Sequence, residues 1–195
     1  MLFRSPVLAN LVAKGSIQEQ KTALRSLGFS RHASAAPLLA EQLKKLAAGE
    51  VKPAIQLDLL NAAGRRNEAA IKKLLADRDA LLAKDTDPLA PFRVALEGGD
   101  AKRGARIFQN QPTLACARCH RVGTESGGEA GPNLAGIGAK NTRENLLESI
   151  VKPNAKIAPG FDTVLITRKS GGSVAGIVAS ETADTLTLQI GRAHV

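Results

Sequence analysis

The chain has no tryptophan and no tyrosine, and only five phenylalanines among 195 residues. With aromatics at 3% and an apolar fraction of 44%, its buried side must come from Ala, Leu, Ile and Val. That composition suits thin helical layers better than one thick core. A large apolar cofactor would add contact that these side chains lack. The shortage of aromatics also removes the stacking platforms that single-stranded nucleic acid uses. No block of one charge stands out. Residues 1–98 hold 15 Lys and Arg against 10 Asp and Glu, and residues 99–195 hold 12 against 8. The net charge of +9 is therefore spread along the chain. It reads as a solvated basic surface or as a docking face for an acidic protein partner, and no nucleic-acid partner is expected. No stretch approaches the ~20 apolar residues of a membrane span, so no transmembrane segment is expected. Met1-Leu2-Phe3-Arg4-Ser5-Pro6, with one basic residue and no unbroken apolar core, is not expected to be a secretory signal.

Between residues 5 and 85 the apolar spacing is three and four, the helical period. Ser5 is a candidate cap with Pro6 at the first helical position, followed by Leu8, Leu11 and Val12 on one face. A second run carries Ile17, Leu24 and Leu27 and is expected to stop at Gly28. A third begins near Ser34, carries Leu38, Leu39, Leu43 and Leu46, and ends at Gly49. A fourth holds Ile55, Leu57, Leu59 and Leu60 and closes at Gly64. A fifth runs from Ala70 and Ile71 through Leu74 and Leu75 to Leu81 and Leu82. Short helices joined by short polar turns suggest antiparallel pairs, either a plain bundle or a few HEAT-like units of an α-solenoid. Residues 85–91, with two prolines and two Asp, read as a linker.

A new element starts after Gly98-Gly99. Asp100 is placed to cap a helix through Lys102, Gly104 and Ile107 to Phe108. A cysteine-containing turn and a Gly-rich loop from Gly123 to Gly138 come next. Asn141 with Glu144 reads as a capping-box-like start of a helix carrying Leu146, Leu147, Ile150 and Val151, ended by Pro153. After Pro159-Gly160 the period changes to two. Val164 to Thr167, then Val174 to Val178, then Leu186, Leu188 and Ile190 read as a three-stranded antiparallel meander.

The chain has only two cysteines, and both lie in Cys116-Ala117-Arg118-Cys119-His120, a C-x-x-C-H motif. Two thiols one turn apart can each add across one vinyl group of the same porphyrin. The His beside the second thiol is then set over the ring as an iron ligand. Other readings need partners that the sequence does not supply nearby. A zinc site takes about four ligands, and only His32 and His194 remain as soft donors, both far away. A thioredoxin-like pair would follow a strand, whereas this one follows a helix. A structural disulfide this short would close a tiny loop and stabilise little. The expectation is one covalent haem c, anchored by Cys116 and Cys119, with His120 as proximal ligand. A backbone carbonyl near Pro132 would orient the other ring nitrogen.

At this point the sequence resembles a known family. The resemblance rests on Gly98-Gly99-Asp100 to Gly104 with Phe108, the haem motif, Gly127-Gly128, Gly131-Pro132-Asn133-Leu134 and Ile137-Gly138. It extends through Leu146 to Ile150, Pro153 to Gly160, and Glu181-Thr182. These look like the haem-binding cytochrome domain found in large planctomycete and verrucomicrobial proteins. In that family the domain often follows HEAT-like helices behind a quinoprotein or sorbosone-type dehydrogenase propeller. The resemblance implies a mostly α chain: a HEAT-like scaffold over residues 1–90 and a c-type cytochrome domain over 97–195. The β meander would be an insert at 161–191, and the usual C-terminal helix would be lacking. It further implies electron transfer from a fused or partner dehydrogenase, with the haem wall drawn from Phe108, Leu134, Ile137 and Leu147. Haem attachment implies a periplasmic or otherwise extracytoplasmic location. The family usually adds a distal Met, whereas the only Met here is Met1. The chain is accordingly expected to be a fragment of a longer protein. Taken as complete, it would leave the sixth position to His194, His32, a Lys, a water or nothing. It would then be a haem sensor or a peroxidase-like protein. A third reading takes residues 1–85 as a helical interaction module.

Overall fold

The computed structural model describes residues 4–189 and, for side chains, residues 6–189. Its contacts divide the chain into two units, Met1–Gly99 and Asp100–Val195. The regular elements among the first unit's described residues are all helical: α1 (Arg4–Lys14), α2 (Ile17–Phe29), α3 (Ala35–Ala47), α4 (Pro53–Ala63) and α5 (Ala69–Leu82), then a 3-10 helix at Ala90–Ala95. Local chemistry sets several ends. Ser16 and Glu19 form a reciprocal capping box at the start of α2. Pro53 opens α4, where its missing N–H costs no helical bond. Gly49 follows α3 with φ +75°, which a glycine adopts without strain.

Alternate helices pack on one another, α2 against α4 and α3 against α5, while α1 lies on α2 and α3 on α4. The apolar stripes therefore meet in one cluster. Leu24, Leu27, Leu39, Leu59 and Ile71 are its largest fully buried side chains. Burying each contributes about 1.5–3 kcal/mol. Arg66, in the turn after α4, donates to the backbone carbonyls of Leu27 and Ser30 at the end of α2 and pairs with Glu68. It thereby supplies donors to carbonyls that a helix end leaves unpaired.

Three local expectations fail here. Ser5 is not a cap, because α1 already includes it. Gly28 does not stop α2, which runs on to Phe29. It is buried instead where α2 crosses α4, and a Cβ at 28 would lie 2.9 Å from Ala62 Cα. Glycine is there for close approach rather than for termination. The segment read as a linker is also structured at its far end. Leu89 and Ala90 are buried, and the 3-10 helix they lead into packs against α4 and α5.

The second unit has α6 (Ala101–Asn110), a 3-10 turn at Cys116–Arg118, α7 (Ile137–Lys140) and α8 (Arg143–Val151). A three-stranded sheet follows: β1 (Thr163–Thr167), β2 (Ser173–Glu181) and β3 (Leu186–Gln189). Asp100 caps α6, accepting from Arg103 N–H at 3.0 Å. The cap of α8 is Thr142, which accepts from Asn145 N–H at 3.2 Å, and not Asn141. Asn141 instead ends α7, its N–H bonded to the Ile137 carbonyl. The strands form an antiparallel meander in the order β1-β2-β3. Val164 pairs with Gly176 and Ile166 with Val174. Val164 and Ile166 are the half-buried positions of β1, as the period of two requires. A bulge near Ala179 shifts the register toward β3. Ile190, expected in the third strand, lies outside the described residues. About half of the described residues are thus helical, and the rest include one small antiparallel sheet. No helix among the described residues is long and apolar enough to cross a membrane.

Candidate haem site

The site is built on the turn that follows α6. Ala115 N–H bonds the Gln111 carbonyl, and Ala115 itself takes a left-handed conformation at φ +49°. The chain then winds into the 3-10 turn. Cys119 N–H and His120 N–H both bond the Cys116 carbonyl, at 3.2 and 3.0 Å. This one turn carries both thiols and the imidazole. Both cysteines are free, Cys116 half-buried and Cys119 exposed.

The loop after the motif folds back along it. Gly128 N–H bonds the Ala117 carbonyl at 2.9 Å, Gly131 N–H the Cys119 carbonyl at 2.8 Å, and Leu134 N–H the Arg121 carbonyl at 2.9 Å. Such close return needs glycine. A Cβ at Gly127 would lie 2.5 Å from the His120 carbonyl oxygen, and one at Gly128 would collide with the Arg118 carbonyl. A Cβ at Gly131 would lie 2.5 Å from His120 Cε1, inside the imidazole's own space. The ring therefore rests against bare backbone. His120 Nδ1 donates to the Pro132 carbonyl at 2.9 Å, which leaves Nε2 as the ring nitrogen with a lone pair. Arg121 and Glu129 add an ion pair across the same loop at 3.4 Å.

Phe108, Leu134, Ile137 and Leu147, the candidate haem wall, are each half-buried. Pro132 is half-buried as well. His32 lies in the first unit on the turn between α2 and α3, exposed, with Nδ1 2.7 Å from Ser34 Oγ. His194 and Met1 lie outside the described residues. Among the described residues no group of three or more His, Cys, Asp and Glu gathers to hold a metal ion. The sequence motif states no role for the glycines at 127, 128 and 131 or for Asn133, whose side chain bonds three backbone groups. An Asn directly after a proline is a signal for such a turn.

The comparisons with known proteins bear on this unit. Residues 101–186 match the family model described as Cytochrome c. A cytochrome c domain is present. A cytochrome c from Stellaria longipes is 43% identical over 44 residues, which is 23% of this chain and 37% of that protein. The chain thus spans little more than a third of that relative's length. No solved structure matches the chain.

The family of that model implies a haem c cofactor. The residues present fit such a group. The donor set is two thiols on one turn and an imidazole with Nε2 uncommitted, and the glycine at 131 keeps the imidazole's space clear. The apolar side chains of the unit fit it too. Among its described residues no apolar side chain is buried, and Leu114 and Ile150 are 61% and 79% exposed.

Proposed function

We propose that the second unit holds one covalently attached haem c and serves as an electron carrier. Cys116 and Cys119 would form the thioether links, and His120 Nε2 would bind the iron. The haem supplies reversible one-electron chemistry between ferric and ferrous iron. The protein's part is to fix the imidazole. The Pro132 carbonyl holds one tautomer and raises the basicity of the ring nitrogen opposite. Phe108, Leu134, Ile137 and Leu147 would exclude water from the porphyrin faces. The observation that carries this reading is the hydrogen bond from His120 Nδ1 to Pro132, on the turn that bears both thiols. Apart from the motif, the expected redox partner is a dehydrogenase, fused or separate, whose electrons the haem accepts. Haem attachment argues for a periplasmic or otherwise extracytoplasmic setting. The pairing of α2 with α4 and α3 with α5 supports a HEAT-like scaffold for the first unit.

The test is expression with a cytochrome c maturation system, followed by a denaturing gel stained for haem. The parent chain is expected to retain its colour and the Cys116→Ala/Cys119→Ala variant to lose it. Colour in the double variant, or none in the parent, would end the covalent reading. A second reading is a haem sensor or peroxidase-like protein with an open distal side. Rapid carbon monoxide binding to the ferrous form would support it, and slow or absent binding would favour plain electron transfer.

A further inference from the structure

The Pro132 carbonyl has no hydrogen bond of its own that would hold it against His120 apart from the one it accepts. Proline fixes its own φ but lacks an N–H, so the peptide must be held by its neighbours. On one side Gly131 N–H is tied to the Cys119 carbonyl. On the other side stands Asn133, exposed yet hydrogen-bonded through both its amide oxygen and its amide nitrogen. Its Oδ1 accepts from Gly123 N–H at 2.9 Å and from Ala135 N–H at 3.0 Å, and its Nδ2 donates to the Gly123 carbonyl at 2.9 Å. The amide thus grips Gly123 at both its backbone polar groups, ten residues away in the chain. Gly123 sits at φ +65° with open space where a Cβ would go, so its backbone conformation is what makes both groups reachable. Only an amide side chain offers an acceptor and a donor side by side for this contact.

We propose that Asn133 is a positioning residue for the iron ligand: its grip on Gly123 holds the Pro132 carbonyl against His120 Nδ1 and so sets the reduction potential. The inference rests on the haem reading above. Loss of the clamp lets the Pro132 peptide drift and weakens the hydrogen bond to His120. A less basic imidazole stabilises ferric iron less, so the potential rises. The contact to Ala135 is a local turn that a serine hydroxyl can also make, whereas the contact to Gly123 is beyond a serine's reach.

The test uses the haem-loaded full chain and its Asn133→Ala and Asn133→Ser variants. Two quantities are read: the midpoint potential, and the iron–histidine stretch of the ferrous form by resonance Raman. Both variants are expected to shift the ferric–ferrous equilibrium toward ferrous by up to tenfold, about 59 mV for one electron. The stretch should fall in both. If Asn133→Ala takes no haem, Asn133→Ser decides, because it keeps the local turn. A parent-like potential and stretch in Asn133→Ser overturns the proposal and leaves the haem reading intact. Loss of haem from both variants also overturns it, since Asn133 would then build the site rather than tune it. A parent chain that takes up no haem sinks the functional reading first, and this inference with it.

Discussion

The two units are of similar length and are held together in opposite ways. Residues 1–99 bury Leu24, Leu27, Leu39, Leu59 and Ile71 almost completely in one cluster. Among the described residues from 100 onward, no apolar side chain is buried. What organises the second unit around His120 is backbone hydrogen bonding between 117–121 and 128–134, together with the Asn133 side chain's bonds to Gly123 and Ala135, with glycines where the two sides of that loop nearly touch. A hydrogen bond contributes a net of only about 0.5–1.5 kcal/mol, less than the ordering of one or two residues costs. The first unit therefore has its driving force in its own side chains, and the second needs a large apolar body to supply one. A porphyrin flanked by Phe108, Leu134, Ile137 and Leu147 would do so.

The comparison is broken most severely by withholding that body. The full chain made without haem attachment should keep slow amide hydrogen exchange in α2, α3 and α4. Residues 101–151 should lose nearly all protection, and regain it when haem is attached through Cys116 and Cys119. Hydrogen exchange read by mass spectrometry resolves the two units in one sample. Equal protection of both units in the haem-free chain would show that the second has an adequate core of its own.

The same contrast governs what could be read in advance. The helices α3 and α4 are legible because their Leu and Ile positions recur at the helical period and Leu39, Leu43, Ile55 and Leu59 are buried as that period demands, whereas in α5 only Ile71 is buried and Leu81, read into the same run, is exposed. The cysteine motif is legible because its chemistry is local: three residues on one turn. Misreadings occur where distant contact decides. Gly28 looks like a stop, but the approach of Ala62 from α4 is what requires it. Leu89 and Ala90 look like linker until α4 and α5 cover the helix beside them. The roles of Gly131 and Asn133 depend on partners about ten residues away, so the motif Gly131-Pro132-Asn133-Leu134 marks importance without stating what each residue touches. The error at α8 is of a different kind. Asn141 and Thr142 are both good caps, and neighbouring hydrogen bonds, not propensity, choose between them.

A smaller effect sharpens the comparison from the first unit's side. Leu59 is completely buried in that cluster. Leu59→Ala should lower the stability of that unit by about 2–5 kcal/mol, the range for a leucine truncated in a closely packed core. Urea unfolding followed by far-UV circular dichroism measures it. The second unit has no position at which a leucine truncation should cost as much without haem. Leu147→Ala in the haem-free chain is expected to leave the urea profile unchanged. A comparable loss there would mean that the half-buried side chains of α8 already form a core.

The smallest expected effect is on acid sensitivity, and it too separates the units. Each begins a helix with a carboxylate cap held below its ordinary pKa. Glu19 is lowered by hydrogen bonds from the Ser16 hydroxyl and backbone, and Asp100 by the Arg103 backbone N–H. In both, the folded form binds fewer protons than the unfolded one within the carboxylate range. The stabilisation is therefore complete above the ordinary value, 4.5 for Glu19 and 3.8 for Asp100, and fades as pH falls through the lowered folded value. In α2 that loss is set against a helix whose Ala23, Leu24 and Leu27 stay buried, so the helix should persist. In α6 no residue is buried, and the cap is a larger share of what holds the first turn. Amide exchange at Arg103, followed by NMR from about pH 5 to about pH 2 after correction for intrinsic rates, should accelerate while that at Gln20 changes little. Asp100→Asn keeps an equally good cap that cannot titrate, so it should flatten the Arg103 profile without unfolding the turn. If the profile stays steep in Asp100→Asn, another group drives the acid response, and the cap is not what holds the start of α6.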